Sequence, residues 1–162
     1  MRLYDRCTST LRLRLRLLIP CRFPCMDRLF PGLPPMITAS AAVSTVVDPK
    51  HFSCGRQFAA WLGLVPRQTS SAGKPRLGRI SRRGDAYLRS LLVQGAKSAL
   101  QAALRQPPDK ANRLQRWIVD VYARVGYHKT LVAIANKHAR MVWAMLAKDE
   151  SFDANAWQRM SS

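Results

Sequence analysis

Between Gly63 and Asp85 the chain reads GLVPRQTSSAGKPRLGRISRRGD. A serine pair, Ser70-Ser71, stands in a segment punctuated by glycine and proline. Around it lie Arg67, Lys74, Arg76, Arg79, Arg82, Arg83 and, further on, Arg89, with no acid before Asp85. A serine hydroxyl attacking a phosphodiester needs positive groups to hold the non-bridging oxygens and absorb transition-state charge, and an arginine fork does this with two parallel hydrogen bonds. The pattern suits a phosphate-handling loop in which a serine is chemical. On composition alone, a plain surface loop whose arginines are merely solvated is the more ordinary reading. The decision rests on the rest of the chain.

A length of 162 residues and 48% hydrophobic content suit one globular domain with its own core. Lys+Arg 27 against Asp+Glu 9 gives a net charge of +18, the electrostatic footprint of a polyanion binder. The basic residues are spread through loops and helices instead of clustering beside an apolar span, which favours nucleic acid over a membrane surface. The apolar stretch Leu17-Leu18-Ile19 is too short for a signal-peptide core before Pro20. An intracellular, cytoplasmic protein with no membrane partner is expected. Cys7, Cys21, Cys25 and Cys54 form no metal signature, and His51, His128 and His138 lack ligand spacing, so no metal site is expected and the thiols are read as free.

The elements that must position the serine loop are helical. Met36 to Val47 is rich in alanine and valine after a Pro-Gly-Leu-Pro-Pro turn, and a shorter helix is expected over Gly55 to Leu62. Beyond the basic loop, Leu88, Leu91, Leu92, Gly95, Ala96 and Ala99 mark one face of a long helix that starts after Gly84 and ends before Pro107-Pro108. Leu114, Trp117, Ile118, Val121, Tyr122 and Val125 predict another, closed by Gly126. Leu131, Ala135, His138, Val142, Met145 and Leu146 predict the last. On that apolar face His138 reads as a core histidine, and Trp61, Trp117 and Trp143 read as core, although any of the three could stack a base. The fold class expected is all-α, a helical domain over residues 31 to 152 with a tail from 153 to 162. Residues 1 to 30 differ. Their alternating run from Leu11 to Leu17 would make an amphipathic strand without a visible partner, so this leader is read as poorly ordered or as the remnant of a truncated reading frame.

The segments FSCGRQFAAWLGLVPRQTSSAGKPRLGRISRRGDAYLRSLLVQGAK and VAIANKHARMVWAMLAKDESFD carry a resemblance. Their order of Phe58-Ala59-Ala60-Trp61-Leu62-Gly63-Leu64, Pro66-Arg67, Ser70-Ser71, Gly73-Lys74, Arg83-Gly84, Tyr87-Leu88-Arg89 and Ala135-Asn136-Lys137 resembles the C-terminal transposase domain of the DEDD-type insertion-sequence transposases, the bridge-RNA-guided serine recombinases. The resemblance runs from about Pro31 to Phe152. It implies DNA transposition, with Ser71 as the nucleophile of DNA strand cleavage and exchange and Ser70 as the alternative. Arg67, Lys74, Arg76 and Arg79, with Arg82 and Arg83 beside them, become candidates for holding DNA. Asn136, Lys137 and Arg140 on the polar side of the last helix become candidates for backbone or guide-RNA contact, a solvated face being the equal alternative.

The chain departs from the family in places. Ala72 follows the serine where glycine is frequent, and Pro34 and Pro35 occupy a turn resembling the glycine turn of a helix-hairpin-helix start. None of the nine acids, Asp5, Asp27, Asp48, Asp85, Asp109, Asp120, Asp149, Glu150 and Asp153, lies in a strand-rich setting able to build the divalent-metal site of the family's separate DEDD domain. The resemblance thus implies a truncated copy without a cofactor of its own. It also implies DNA and guide-RNA partners, and a homo-oligomer when full length. A non-catalytic nucleic-acid-binding module and an inactive remnant remain the other readings.

Overall fold

Each alanine- and leucine-rich stretch forms a helix, and the residues at its ends explain where it starts and stops. The computed structural model describes residues 35–46, 48–68 and 76–148, so expectations about the leader, the tail, Pro34, Ser70, Ser71, Ala72 and Lys74 lie outside the described residues. Helix α1 spans Pro35–Thr45 and buries Ala39, Ala41 and Ala42, with Val46 buried just beyond its end. Its small side chains allow close packing on a later helix, α3. Asp48 then accepts a hydrogen bond from the Lys50 amide at 2.9 Å and caps a single 3-10 turn, Pro49–His51.

Helix α2, Gly55–Trp61, has only two turns and buries Phe58 and Ala59. Its first residue must be small. A Cβ on Gly55 would lie 3.2 Å from the Arg140 Cα and carbonyl oxygen, so the glycine is what lets α2 rest against the last helix. Helix α3 spans Ala86–Arg105, and the Asp85 carboxylate accepts from the Leu88 amide at its N-terminus. Its inner stripe is Leu88, Leu92, Gly95, Ala96, Ala99, Leu100 and Ala103, all buried at helical spacing.

Helix α4, Arg113–Val125, opens with a reciprocal cap. The Gln115 amide donates to Asn112 Oδ1 at 2.8 Å and the Asn112 amide donates to Gln115 Oε1 at 2.9 Å. It closes at Gly126, whose φ of 78° with ψ of 174° is an extended positive-φ conformation open essentially to glycine, and whose amide donates to the Tyr122 carbonyl. Helix α5, Tyr127–Lys148, follows at once and starts earlier than the apolar stripe from Leu131 suggested. It is the axis of the fold, about 33 Å long at 1.5 Å per residue, and α2, α3 and α4 all pack on it. Ile134, Ala135, Ala139 and Val142 fill that contact, together with Phe58, Leu92 and Leu100. Trp143 anchors the far side by donating its indole N–H to the Pro49 carbonyl at 3.1 Å.

The helical fold class is as expected, with one addition. Two short strands, β1 (Pro66–Gln68) and β2 (Leu77–Ile80), pair antiparallel where the sequence suggested only a loop. Among the described residues no helix is long and apolar enough to cross a membrane.

Candidate nucleic-acid interface

The β-hairpin leaves the helical body between α2 and α3, and two glycines form its foot. Gly63 has φ 74° and Gly84 has φ 82°, a region open to glycine but strained for other residues. A Cβ on Gly63 would lie 2.4 Å from the Arg83 carbonyl oxygen, and one on Gly84 would lie 2.1 Å from that of Trp61. The two ends of the hairpin therefore cross with backbone against backbone. Hydrogen bonds fix the crossing: the Arg82 amide donates to the Gly63 carbonyl at 3.2 Å and the Ser81 amide to that of Val65 at 3.0 Å. Arg89, on the first turns of α3, donates through Nη1 to the carbonyls of Leu62 and Arg83, each at 3.1 Å. A two-stranded ribbon is marginal by itself. Here its foot is held from both sides.

Within the ribbon Pro66 pairs with Ile80 and Gln68 with Leu77, so Gly78 and Arg79 together face Arg67. This is a bulge, a device that sharpens local twist and turns side chains to new directions. A Cβ at Gly78 would stand 3.6 Å from the Arg67 carbonyl, an ordinary van der Waals contact, so the bulge has room for a side chain there. Every residue of β1 is exposed, as are Leu77, Gly78 and Arg79 of β2, and the same holds for Arg76, Arg82 and Arg83. No described carboxylate pairs with Arg67, Arg76, Arg79, Arg82 or Arg83. Asp85 is the nearest acid in sequence, and its carboxylate is engaged in capping α3. Arg82 is also the one described non-glycine residue with positive φ, at 54°, a conformation that costs about 1–2 kcal/mol for a side chain.

A second basic group lies on α5. Lys137 is half-buried, with Nζ 4.0 Å from the centre of the Trp117 ring, a cation–π contact. Removal from water, then repulsion from Arg140 and Arg113, holds its ammonium below the ordinary lysine range. Asn136 is half-buried and Arg140 is exposed. Arg140 packs at Gly55, the first residue of α2, whereas the hairpin departs just past its last residue. Seven helical residues, about 10 Å at 1.5 Å each, lead from Gly55, beside the Arg140 backbone, to the root of the hairpin. His138 is core, as expected: burial first and the neighbouring Lys137 charge second push its pKa down to about 3, so it is neutral at physiological pH.

The structure thus brings Arg67, Arg76, Arg79, Arg82 and Arg83 onto one hairpin and sets Asn136, Lys137 and Arg140 apart from them. Ser70, Ser71 and Lys74 belong to the 69–75 segment outside the described residues; β1 and β2 flank it in sequence. Two features escaped the sequence reading. Arg89 serves the foot of the hairpin through its bonds to Leu62 and Arg83, and Trp61 is not core. It is 38% exposed, the outer ring of a cluster whose inner members are Phe58, stacked at 5.8 Å, and Phe52 at 5.4 Å. Of the large residues Phe58, Trp61 and Leu62, Phe58 and Leu62 are fully buried and Trp61, the last residue of the two-turn helix, is left at the rim. Among the described residues no group of three His, Cys, Asp or Glu side chains could hold a metal ion. The described part therefore does not fit the divalent-metal site that the resemblance assigns to another domain.

The chain is similar in sequence to known proteins. Residues 30–112 match the family described as Transposase IS116/IS110/IS902 family, a span that covers α1, α2, the hairpin and α3. The chain is 46% identical over 116 residues to a Pseudomonas aeruginosa protein named "Probable family 20 transposase", covering 72% of this chain and 33% of that protein. It is 38% identical over 120 residues to the "Transposase for insertion sequence element IS1111A" of Coxiella burnetii, covering 74% and 32%. With the "Transposase for insertion sequence element IS1328" of Yersinia enterocolitica the identity is 39% over 116 residues, covering 72% and 34%. The chain spans about a third of the length of these relatives. With the glycine-locked hairpin and its arginines inside the matched span, the chain belongs to the IS116/IS110/IS902 transposase family.

Proposed function

We propose that this chain is the strand-joining domain of a DNA transposase, in which Ser71 is the nucleophile. Ser71 Oγ bonds to the phosphorus of a DNA phosphodiester as one P–O bond breaks, and the departing strand end leaves as a hydroxyl, taking up the proton the serine gives up. A hydroxyl of a second strand then attacks the phosphoserine and restores the free serine. One phosphodiester is lost and one is gained, so neither a nucleoside triphosphate nor water is consumed. Arg67, Lys74, Arg76, Arg79, Arg82 and Arg83 hold the phosphates and offset the charge that develops on the non-bridging oxygens.

One observation carries this reading. A hairpin locked by Gly63 and Gly84 carries five exposed arginines without a described carboxylate partner, and the serine pair lies between its two strands in sequence. Fixed phosphate donors on a firm foot are what electrostatic catalysis of phosphoryl chemistry requires. The naming of the relatives as insertion-sequence transposases points the same way. Guide RNA, assembly of several copies, and a divalent metal on a separate domain are the remaining parts of the proposal. The metal-binding domain, and further contacts to RNA and to other copies, would lie within the two-thirds of the relatives' length that this chain does not span. No step assigned to these residues passes through a metal.

The test is covalent trapping. In the chain joined to the remaining length of one of its relatives, Ser71→Ala should abolish covalent protein–DNA adducts and leave DNA binding within about twofold. Ser70→Ala should retain the adducts. The opposite result moves the nucleophile to Ser70. Retention of adducts in the double variant would place the covalent joint on another residue, and binding without any adduct in the parent chain would leave only a nucleic-acid-binding module.

A further inference from the structure

The foot of the hairpin carries a feature that phosphate chemistry does not use. Two aromatic rings stand in solvent at the crossing of its two ends: Trp61, 38% exposed, and Tyr87, 60% exposed. They come from opposite sides of the foot. The Trp61 carbonyl lies against Gly84, three residues before Tyr87 on the first turn of α3. Trp61 is not a loose ring, because buried Phe58 stacks on it with an interplanar angle of 25° and Phe52 tilts against it. Exposed Arg82 and Arg83 immediately precede Gly84 and lie against Gly63, two residues after Trp61, and no described acid pairs with either. Arg82 keeps a side chain at φ 54°, where glycine would be relaxed. A position under strain that retains a long cationic side chain is the kind found where that side chain meets a ligand.

We propose that Trp61 and Tyr87 form a stacking platform for unpaired bases, with Arg82 and Arg83 holding the adjoining phosphates, so that the hairpin foot prefers a single strand or an opened duplex to an intact one. The chemistry is that of strand-binding surfaces: an aromatic face accepts any base, a cation follows the backbone, and the preference for unpaired strands arises because bases in a duplex already stack on each other. Such a surface would keep a strand open at the base of the hairpin. The inference rests on the nucleic-acid reading above, but it makes a separate claim about which form of nucleic acid is preferred.

The experiment measures fluorescence anisotropy of the 162-residue chain with a labelled oligothymidine, an oligouridine of the same length and a DNA duplex of that length. The wild-type chain should bind the unpaired strands more tightly than the duplex. Trp61→Leu and Tyr87→Ala should each weaken single-strand binding by roughly 5- to 100-fold and move duplex binding by less than about twofold. Trp61→Phe should restore most of the loss. Tyr87 is mostly exposed, so its variant remains informative if Trp61→Leu fails to fold. Weakening of the oligouridine alone would assign the platform to an RNA strand, and weakening of both unpaired strands to any open strand. Equal weakening of duplex and single strands, or no change in either variant, overturns the platform while leaving the nucleic-acid reading standing. Loss of all binding by the wild-type chain would sink that reading itself.

Discussion

The hairpin foot and the inner face of α5 use cationic residues in opposite ways. On the hairpin, Arg67, Arg76, Arg79, Arg82 and Arg83 stay in water, and the rigidity comes from backbone contacts at Gly63 and Gly84. On α5, Lys137 is drawn over Trp117 and partly out of water, while His138 beside it is buried and neutral. The contrast shows where order is kept without side-chain pairing. A cation that must receive phosphate has to remain hydrated and without a carboxylate partner, so the scaffold under it is held by glycine, main-chain hydrogen bonds and the Arg89 side chain, and Arg67 makes only a long bond, 3.4 Å, to the Ser81 carbonyl. A cation already enclosed by protein contributes to the fold and has less to offer a ligand.

The largest effect should come from the foot itself. Gly84→Val drives a side chain into the Trp61 carbonyl at a φ of 82°, and should lower stability by about 4 kcal/mol or prevent folding. Gly126→Ala is its control. The φ there is 78°, but nothing lies within 4 Å of the new Cβ, so urea unfolding should register only about 1 kcal/mol. Equal losses at the two glycines would mean that backbone conformation matters and close approach does not.

The buried face should show itself in acid. His138 has a folded pKa of about 3 against an ordinary value near 6.5, so the unfolded chain binds a proton that the folded chain refuses. Above pH 6.5 the difference vanishes; between 6.5 and 3 stability falls with falling pH, by about 1.4 kcal/mol for each pH unit. Urea titrations at pH 7 and pH 5 should show that drop in the parent chain and a shallower one in His138→Gln. An identical slope in both would place the acid sensitivity elsewhere.

The helices were largely legible in the sequence, because burial imposes a stripe and ends impose caps. Leu88, Leu92, Ala96 and Ala99 lie at helical spacing, and Gly126 terminates α4 as its position suggested. The hairpin was not legible. Its strands have three and four residues with no buried member, so no period-two apolar pattern exists to be read. The approaches of Gly63 to Arg83 and of Gly84 to Trp61 join residues far apart in sequence, and only the folded backbone reveals them. Trp61 was misjudged for a similar reason. Its spacing with Phe58 is helical, but α2 is too short for both to be covered.

Two arginines sharpen the comparison further, with smaller effects. Arg89→Ala removes the bonds to the Leu62 and Arg83 carbonyls and should lower stability by about 1–2 kcal/mol. Arg79→Ala touches only an exposed side chain and should change stability by less than about 0.5 kcal/mol. Thermal unfolding of the pair distinguishes a structural arginine from one kept for a ligand.

The central claim is that phosphate is held at the hairpin, and the salt dependence of nucleic-acid binding tests it most directly. Each phosphate contact contributes about 0.9 to the slope of log affinity against log salt for a DNA duplex. Removing both Arg76 and Arg79 by substitution with alanine should therefore flatten the slope by roughly 2 while leaving the melting temperature unchanged. Lys137→Met, which retains the packing on Trp117 but loses the charge, should change the slope by clearly less than one contact. A slope unmoved by the arginine pair and flattened by Lys137→Met would contradict the account and place the phosphate on α5.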